Sequence, residues 1–92
     1  MTPLHVRALR GRSEIAQILI AAGADIEARN NKGQTPLHVA AAFGRMDVAE
    51  LLISKGANTN MTDNDGNTPI SLAENRGYKE IAAFLRNHET EE

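Results

Sequence analysis

The sequence predicts an all-α solenoid of three stacked helix-turn-helix units joined by β-turn or hairpin loops. A Thr-Pro pair followed by an apolar residue begins at Thr2, Thr35 and Thr68, so the pattern repeats at a step of 33 residues. A glycine recurs nine residues after each of these threonines. The second half of each unit carries apolar residues at positions i, i+3 and i+4, which is the spacing of one helix face. Repetition at this period predicts a stacked array rather than one globular core.

The first helix of each unit is expected to begin at its Thr-Pro pair. The threonine oxygen can accept a hydrogen bond from an amide of the first helical turn, and proline at the first helical position loses no hydrogen bond. A glycine can adopt the left-handed conformation that a helix end requires. The first helices are therefore predicted to end before Gly11, Gly44 and Gly77.

The second helix carries an apolar stripe that must be buried. In the central unit this stripe is Val48, Leu51 and Leu52. The equivalent residues of the outer units are Ile15, Ile18 and Leu19, and Ile81, Phe84 and Leu85. A pair of short helices cannot cover such a stripe alone, so neighbouring units must stack. The central unit is expected to bury Leu37, Ala40, Ala41, Val48, Leu51 and Leu52. Each stripe is preceded by an acidic residue, where the dipole of its own helix favours negative charge; these residues are Glu14, Asp47 and Glu80.

Turn-rich loops precede the first helices of the second and third units, at residues 30–33 and 63–66. Their asparagine, aspartate and glycine residues favour tight turns. Asp63 and Asp65 could also hold a cation weakly, but no glutamate follows at the spacing of a calcium-binding loop. Turn formation explains both residues better, and no metal site is predicted.

The repeated pattern resembles the ankyrin repeat, whose period and Thr-Pro-Leu-His signature match those of this chain. The resemblance covers almost the whole chain and implies a single domain with repeats at approximately residues 1–29, 30–62 and 63–92. In this family a histidine at the positions of His5 and His38 bridges the threonine and the neighbouring loop through hydrogen bonds. We prefer that role over catalysis or metal binding, because the third copy has Ser71 at the same position.

Composition and charge exclude several classes of protein. The chain has no cysteine, which removes disulfides, thiolate metal sites and cysteine nucleophiles. No apolar run is long enough to span a membrane, and no signal peptide is recognisable. The net charge of −2 gives no reason to expect nucleic acid or an anionic membrane as a partner. Basic residues outnumber acidic ones before Thr35 and the reverse holds around Thr68, so we expect a stack that is electrically polar along its axis.

The two ends of the chain differ in polarity. The third copy has Arg86, Glu74 and Ser71 where the others have isoleucine, alanine and histidine, and it continues into residues 87–92, interpreted as a solvated tail. It is therefore expected to act as a C-terminal cap. The first copy keeps apolar Val6 and Ile15 on its outer face. We expect the C-terminal end of a longer array, with weak self-association through the N-terminal face; the alternative is a minimal domain with a rough N-terminus.

The resemblance implies a concave binding side built from loop tips and first helices. Carrying the family's variable contact positions onto this sequence gives Leu9, Arg10, Arg29, Asn31, Lys32, Gln34, Ala42, Phe43, Thr62, Asn64, Asp65, Asn67, Asn75 and Arg76. Phe43 follows a helix whose apolar needs are already met, so it is expected to anchor a partner. The alternative is that Phe43 only covers the edge of Leu9 and the first unit.

These features predict a protein-protein interaction module that binds another protein, without catalytic residues or a cofactor. No phosphate-binding loop, nucleophilic serine turn or acid-base pair is visible in the sequence. The expected location is the cytoplasm, with the nucleus as an alternative. Two other functions are compatible with the sequence: a purely structural capping or spacer region, and a region appended to an enzyme whose activity lies outside this chain.

Overall fold

The chain folds into six helices in three consecutive pairs, in a computed structural model that describes residues 2–89. The helices are α1 (Pro3–Arg10), α2 (Ser13–Ala21), α3 (Pro36–Ala42), α4 (Met46–Ser54), α5 (Pro69–Asn75) and α6 (Lys79–Asn87). No β-strand forms within residues 2–89. Helix α3 packs against both α1 and α5, and α4 packs against α2. The predicted all-α solenoid of helix-turn-helix units is confirmed.

Each first helix begins at a capping threonine, as predicted. The hydroxyl oxygens of Thr2, Thr35 and Thr68 accept a hydrogen bond from the backbone amide three residues further on, at 3.3, 3.4 and 3.2 Å respectively. The side chain of that residue in turn bonds the backbone amide of the threonine, which completes a capping box. Two amides that the helix would leave unpaired are therefore satisfied at each start.

His5 and His38 extend these caps into bonds between units. The amide of Thr35 donates to Nδ1 of His38 at 3.1 Å, so the proton of the neutral ring lies on Nε2. Nε2–H then donates to the backbone carbonyl oxygen of Asn67, in the loop before the next unit, at 2.9 Å. His5 makes the same contacts, with Nε2 2.7 Å from the carbonyl oxygen of Gln34. Both histidines are fully buried, and the predicted bridging role is confirmed.

Burial lowers the pKa of His38, because desolvation disfavours the charged imidazolium. The hydrogen bond to the carbonyl oxygen of Asn67 opposes this shift without cancelling it. For the nearby Asp63 carboxyl, burial alone would raise the pKa, but hydrogen bonds from the amides of Asn67 and Asp65 outweigh burial and lower the pKa. The folded chain therefore favours a neutral imidazole near an ionised carboxylate.

Asp47 caps a helix of the preceding unit rather than its own. Its Oδ2 accepts hydrogen bonds from the backbone amides of Arg12 and Ser13 at 3.0 and 3.1 Å. Those amides begin α2, which has no side-chain cap of its own. The carboxylate was expected to act on the dipole of α4, so the structure adds a second bond between the first two units that the sequence did not indicate.

Both helices of the central unit contribute to its core. The residues that are fully buried as predicted are Leu37, Ala40, Ala41, Val48 and Leu52. Leu51 is only half-buried, so its predicted burial is wrong. Ala49 is buried instead, so the buried side of α4 is formed by Val48, Ala49 and Leu52. Ala16 and Ala82 are buried at the equivalent positions, so every unit buries a small side chain there.

The first unit leaves part of its apolar stripe uncovered. Ile15 is 37% exposed and Ile18 is 66% exposed, whereas Val48 and Ile81, at the position of Ile15, are buried. The expected burial of this stripe therefore fails in α2. Within residues 2–89, α2 packs mainly against α1 and α4, which leaves its outer face to solvent. That face is apolar, as the sequence predicted, and Val6 is half-buried beside it in α1.

The third unit is polar where the first is apolar. Glu74 and Arg86 form an ion pair on its exposed surface, so the two charged replacements in this copy neutralise each other. The hydroxyl of Ser71 donates to the carbonyl oxygen of Thr68 at 3.0 Å, within its own turn. A serine therefore completes the cap without the bridge that histidine provides in the other units.

The start of the predicted solvated tail belongs to a helix end. Asn87 is the last residue of α6, and Nδ1 of His88 donates to the carbonyl oxygen of Phe84 at 2.9 Å. Asn87, His88 and Glu89 are all exposed. The remainder of that segment, residues 90–92, lies outside the described residues.

Gly44 allows a close contact between the second and third units. Its φ of 72° lies in the left-handed region, as do the φ angles of Gly11 and Gly77 at the other predicted helix ends. A Cβ atom at Gly44 would lie 2.8 Å from Cε1 of Tyr78, whereas one at Gly77 would meet nothing within 4 Å. The ring of Tyr78 therefore packs directly on the backbone of Gly44.

We predict that Gly44→Ala destabilises the protein more than Gly77→Ala. Both changes strain a backbone with positive φ, but only the change at position 44 also displaces the ring of Tyr78. The free energy of unfolding should fall by roughly 2–4 kcal/mol for Gly44→Ala and by about 1 kcal/mol for Gly77→Ala. Urea denaturation of both variants beside the wild type measures the difference. Equal losses would mean that the ring moves aside at no cost and would contradict the packing role of Gly44.

A second prediction concerns pH. The ordinary pKa of histidine, 6.5, applies to the unfolded chain, and the folded pKa of His38 is lower. The neutral ring of His38 therefore stabilises the folded chain fully above pH 6.5, and this stabilisation is lost as the pH falls from 6.5 through the folded pKa. Between these two pKa values the unfolded chain binds a proton that the folded chain does not, so acid favours unfolding. Asp63 adds a loss only in stronger acid, below its ordinary pKa of 3.8.

The matched control is His38→Asn, which removes the titrating ring. Urea denaturation between about pH 7.5 and about pH 5 should show a smaller loss of unfolding free energy in the variant than in the wild type. At neutral pH the variant should already be less stable by about 1–3 kcal/mol, because the carbonyl oxygen of Asn67 loses its donor. If wild type and variant lose stability equally on acidification, His38 does not carry the effect.

Candidate protein-binding surface

The two loops form tight turns held by their own side chains. Oδ1 of Asn30 accepts hydrogen bonds from the amides of Lys32 and Gln34, both at 2.9 Å. Oδ1 of Asp63 accepts from the amides two and four residues further on, also at 2.9 Å. Asp63 therefore acts as the turn-forming residue that the sequence suggested. The predicted tight turns are confirmed at both loops.

The loop tips are bonded side by side, which fixes the edge of the surface. The amide of Asn64 donates to the carbonyl oxygen of Lys32 at 3.0 Å, and its Nδ2 donates to the carbonyl oxygen of Asn31 at 3.1 Å. Nη1 of Arg29 donates to the carbonyl oxygen of Thr62 at 2.9 Å. Several predicted contact residues thus spend part of their hydrogen-bonding capacity on joining neighbouring units.

A groove lies between the first loop tip and the ends of the first helices. It has a volume of about 280 Å³ and is lined by Asn30, Asn31, Lys32, Gln34, Ala42, Phe43 and Arg76. We call it the tip groove. Six of these residues were predicted contact positions, and the fold brings them together from the second and third units. Ala42 is buried, with 3% of its surface exposed, so it can only form the floor of the tip groove.

Phe43 is the exposed apolar side chain of the tip groove. Its surface is 42% exposed, and the guanidinium carbon of Arg76 lies 5.6 Å from the centre of its ring. Nη1 of Arg76 also donates to the carbonyl oxygen of Ala42 at 3.2 Å, which holds the guanidinium beside the ring. A cation at this distance from an aromatic face is attracted to it. The pair presents an apolar surface with a positive rim.

A second groove, of about 710 Å³, lies on the other side of Phe43. It is lined by Arg7, Leu9, Arg10, Arg12, Phe43 and Arg45, and we call it the arginine groove. Leu9 and Arg10 were predicted contact positions. Phe43 lines the arginine groove together with the half-buried Leu9. The alternative that Phe43 covers the edge of the first unit therefore accounts for part of its ring, while 42% of its surface stays exposed.

The remaining predicted contact residues line neither groove. Among them, Thr62, Asn64, Asp65 and Asn75 are exposed and Asn67 is half-buried, with its carbonyl oxygen bonded to His38. Sequence reasoning also missed Arg7, Arg12 and Arg45 as parts of a surface. The excess of basic residues in the first third was a signal for Arg7 and Arg12, but Arg45 belongs to the next unit.

The described part of the chain contains neither a cluster of residues suited to a metal ion nor a membrane-spanning helix. Within residues 2–89, no three histidine, aspartate or glutamate side chains are placed to hold a metal ion. The longest helices there have nine residues. A membrane-spanning helix needs about 20 residues, so none of these could cross a bilayer.

Comparison with known proteins agrees with the repeated caps and bridges. The family model described as ankyrin repeats, in three copies, matches residues 4–92. A segment of 34 residues, or 37% of this chain, is 50% identical to the human protein named Ankyrin repeat and SOCS box protein 18. The match covers 7% of that protein, so this chain corresponds to a small part of its length. Ankyrin repeats are generally protein-protein interaction modules and are typically non-catalytic. With its family match over nearly the whole sequence and its threonine-capped helix pairs, this chain belongs to the ankyrin repeat family.

Proposed function

We propose that this chain binds another protein through the concave side formed by its loop tips and the ends of its first helices. The observation that carries the proposal is Phe43, an exposed aromatic ring set between two grooves and flanked by Arg76. Aromatic and arginine side chains are the types most often found at the energetic centre of protein interfaces. The contact set is the one inferred from the family, with the tip groove at its centre.

Rigidity of this surface supports the proposal. Hydrogen bonds from Asn64 and Arg29 tie neighbouring loop tips together, and Arg76 is tied to the backbone of α3. A surface that is already ordered loses little conformational entropy when a partner binds. The tip groove therefore needs no large rearrangement to accept one.

The apolar outer face of α2 supports a position near the end of a longer array. Ile15 and Ile18 are exposed there, whereas the equivalent side chains of the later units are buried or half-buried. A preceding unit would cover them, and apolar area removed from water is stabilising by about 25 cal/mol per square ångström. In this proposal the third unit, with its Glu74–Arg86 pair, is the cap. The cytoplasmic or nuclear location and the absence of catalysis stay predictions.

Phe43→Ala should lower the affinity for the partner by about tenfold or more, because truncation of a central aromatic anchor usually costs at least about 1–2 kcal/mol of binding free energy. The melting temperature should stay within a few degrees, since the ring is already 42% exposed. Calorimetric titration with a partner isolated on the wild-type chain measures the loss. Arg76→Glu should act in the same direction.

The control for this experiment is Ile18→Ala, a change to an exposed apolar side chain outside both grooves. It should leave the affinity of the partner unchanged. If Ile18→Ala abolishes binding while Phe43→Ala has no effect, the partner uses the second helices and the proposed face is wrong.

A further prediction follows from the exposed face of α2. Amides of α2 should exchange with solvent faster than those of α4, because α2 packs against a neighbouring unit on one side only and buries just Ala16, whereas α4 buries Val48, Ala49 and Leu52. Sedimentation at rising concentration should show weak self-association that Ile18→Glu reduces. Equal protection of α2 and α4 in a monomer at low concentration would contradict the need for a covering neighbour.

A further inference from the structure

We propose that the arginine groove binds an acidic peptide segment of the partner protein, with an apolar side chain of that segment seated on Leu9 and Phe43. This inference rests on the proposed protein-binding function and adds the chemistry of the partner. It concerns a surface that the family's usual contact positions cover only at Leu9, Arg10 and Phe43.

The first step is the charge of the groove. Four of its six lining residues are arginines, contributed by the first two units: Arg7, Arg10, Arg12 and Arg45. None of them forms an ion pair with a carboxylate in residues 2–89, where Glu74 and Arg86 do pair. The carboxylate of Asp47, near the groove, is already bonded by the backbone amides of Arg12 and Ser13. The single carboxylate of Asp47 does not balance four arginines, so the groove is a local concentration of positive charge in a chain whose net charge is −2.

The second step is how two of these arginines are held. Nε of Arg45 donates to the carbonyl oxygen of Leu9 at 2.8 Å, which carries its guanidinium across the boundary between units. Arg12 has a φ of 69°, and it is the one residue other than glycine with positive φ among residues 2–89. An asparagine or glycine would adopt this conformation at lower cost. A strained backbone at the rim of a groove supports a role for the side chain that it displays.

The third step selects the class of ligand. Arginine pairs with carboxylates through parallel hydrogen bonds, and exposed apolar surface beside it favours a ligand that combines acidic and apolar side chains. A short acidic segment meets only the arginine groove. A long polyanion such as a nucleic acid would also meet the third unit, where acidic residues outnumber basic ones, and would be repelled there.

The experiment uses the full chain and a fluorescein-labelled peptide in which glutamates flank a single central phenylalanine. Three comparison ligands are measured by fluorescence anisotropy: the same peptide with glutamine for glutamate, the same peptide with alanine for phenylalanine, and a single-stranded oligothymidine of equal charge. The variant protein is Arg10→Gln with Arg12→Gln, both at exposed positions. The matched control is Lys55→Gln with Lys79→Gln, which removes the same charge from exposed positions outside the groove.

The acidic peptide should bind with an affinity that falls as salt is raised, and both altered peptides should bind more weakly. The arginine variant should bind about tenfold more weakly, since each exposed ion pair accounts for a few-fold in affinity. The lysine variant should bind as the wild type does, and both should melt at the wild-type temperature. Equal binding of the glutamate and glutamine peptides, or equal loss in the two variants, would overturn the proposal. So would oligothymidine binding as tight as that of the peptide.

The result can be separated from a failure of the proposed function. If the acidic peptide does not bind but Phe43→Ala still weakens the isolated partner, the concave surface binds proteins and only the acidic chemistry is wrong. If neither the peptide nor the partner responds to any change in the two grooves, both proposals fail together.

Discussion

This array depends on burial that no unit achieves alone. Two short helices leave an apolar stripe that only a neighbouring unit can cover, and apolar contact alone does not fix how two units are positioned against each other. The capping histidine fixes this position, because the ring of His38 accepts a hydrogen bond from an amide at the start of its own helix and donates one to a carbonyl oxygen in the next loop. Local helix formation and unit-to-unit register are therefore coupled through one buried side chain.

The same coupling organises the surface. Since the histidines fix where each loop sits against the preceding helix, the loop tips come close enough for Asn64 and Lys32 to bond across units. The tips in turn form one wall of the groove in which Phe43 and Arg76 meet. Asp47 adds a further link between the first two units, because it caps α2. Its bonds hold the segment between α1 and α2, which carries Arg12, against the second unit. Stability and binding geometry thus come from the same bonds between repeats.

The apolar stripes of the second helices are buried to different extents along the stack. The residue at the start of each stripe is buried in the second and third units but exposed as Ile15 in the first. In the third unit the replacements Glu74 and Arg86 pair with each other and keep its surface polar. One end therefore offers apolar area and the other offers solvated charge, as the different polarity of the first and third copies in the sequence suggested.

The sequence alone determined the period, the threonine caps, the glycine ends of the first helices and the inward-facing Leu37, Val48 and Leu52. These follow from local geometry, since helix capping and the 3.6-residue turn involve neighbours in sequence. The predicted stripe nevertheless wrongly included Leu51. Periodicity shows that a helix has a buried face, but it does not fix which residues lie at the edge of that face. For the site, the sequence indicated Phe43 and Arg76 as separate contact residues in different units.

Only the tertiary structure decided which distant residues share a surface. That Arg76 lies over Phe43, that Arg45 joins the arginines of the first unit, and that Tyr78 packs on Gly44 all depend on stacking between units. Such contacts join side chains about one repeat apart, and their geometry depends on the rotation and spacing of whole units, which no local pattern encodes. The caps could be predicted because they lie within one turn, whereas the grooves could not because they form between repeats.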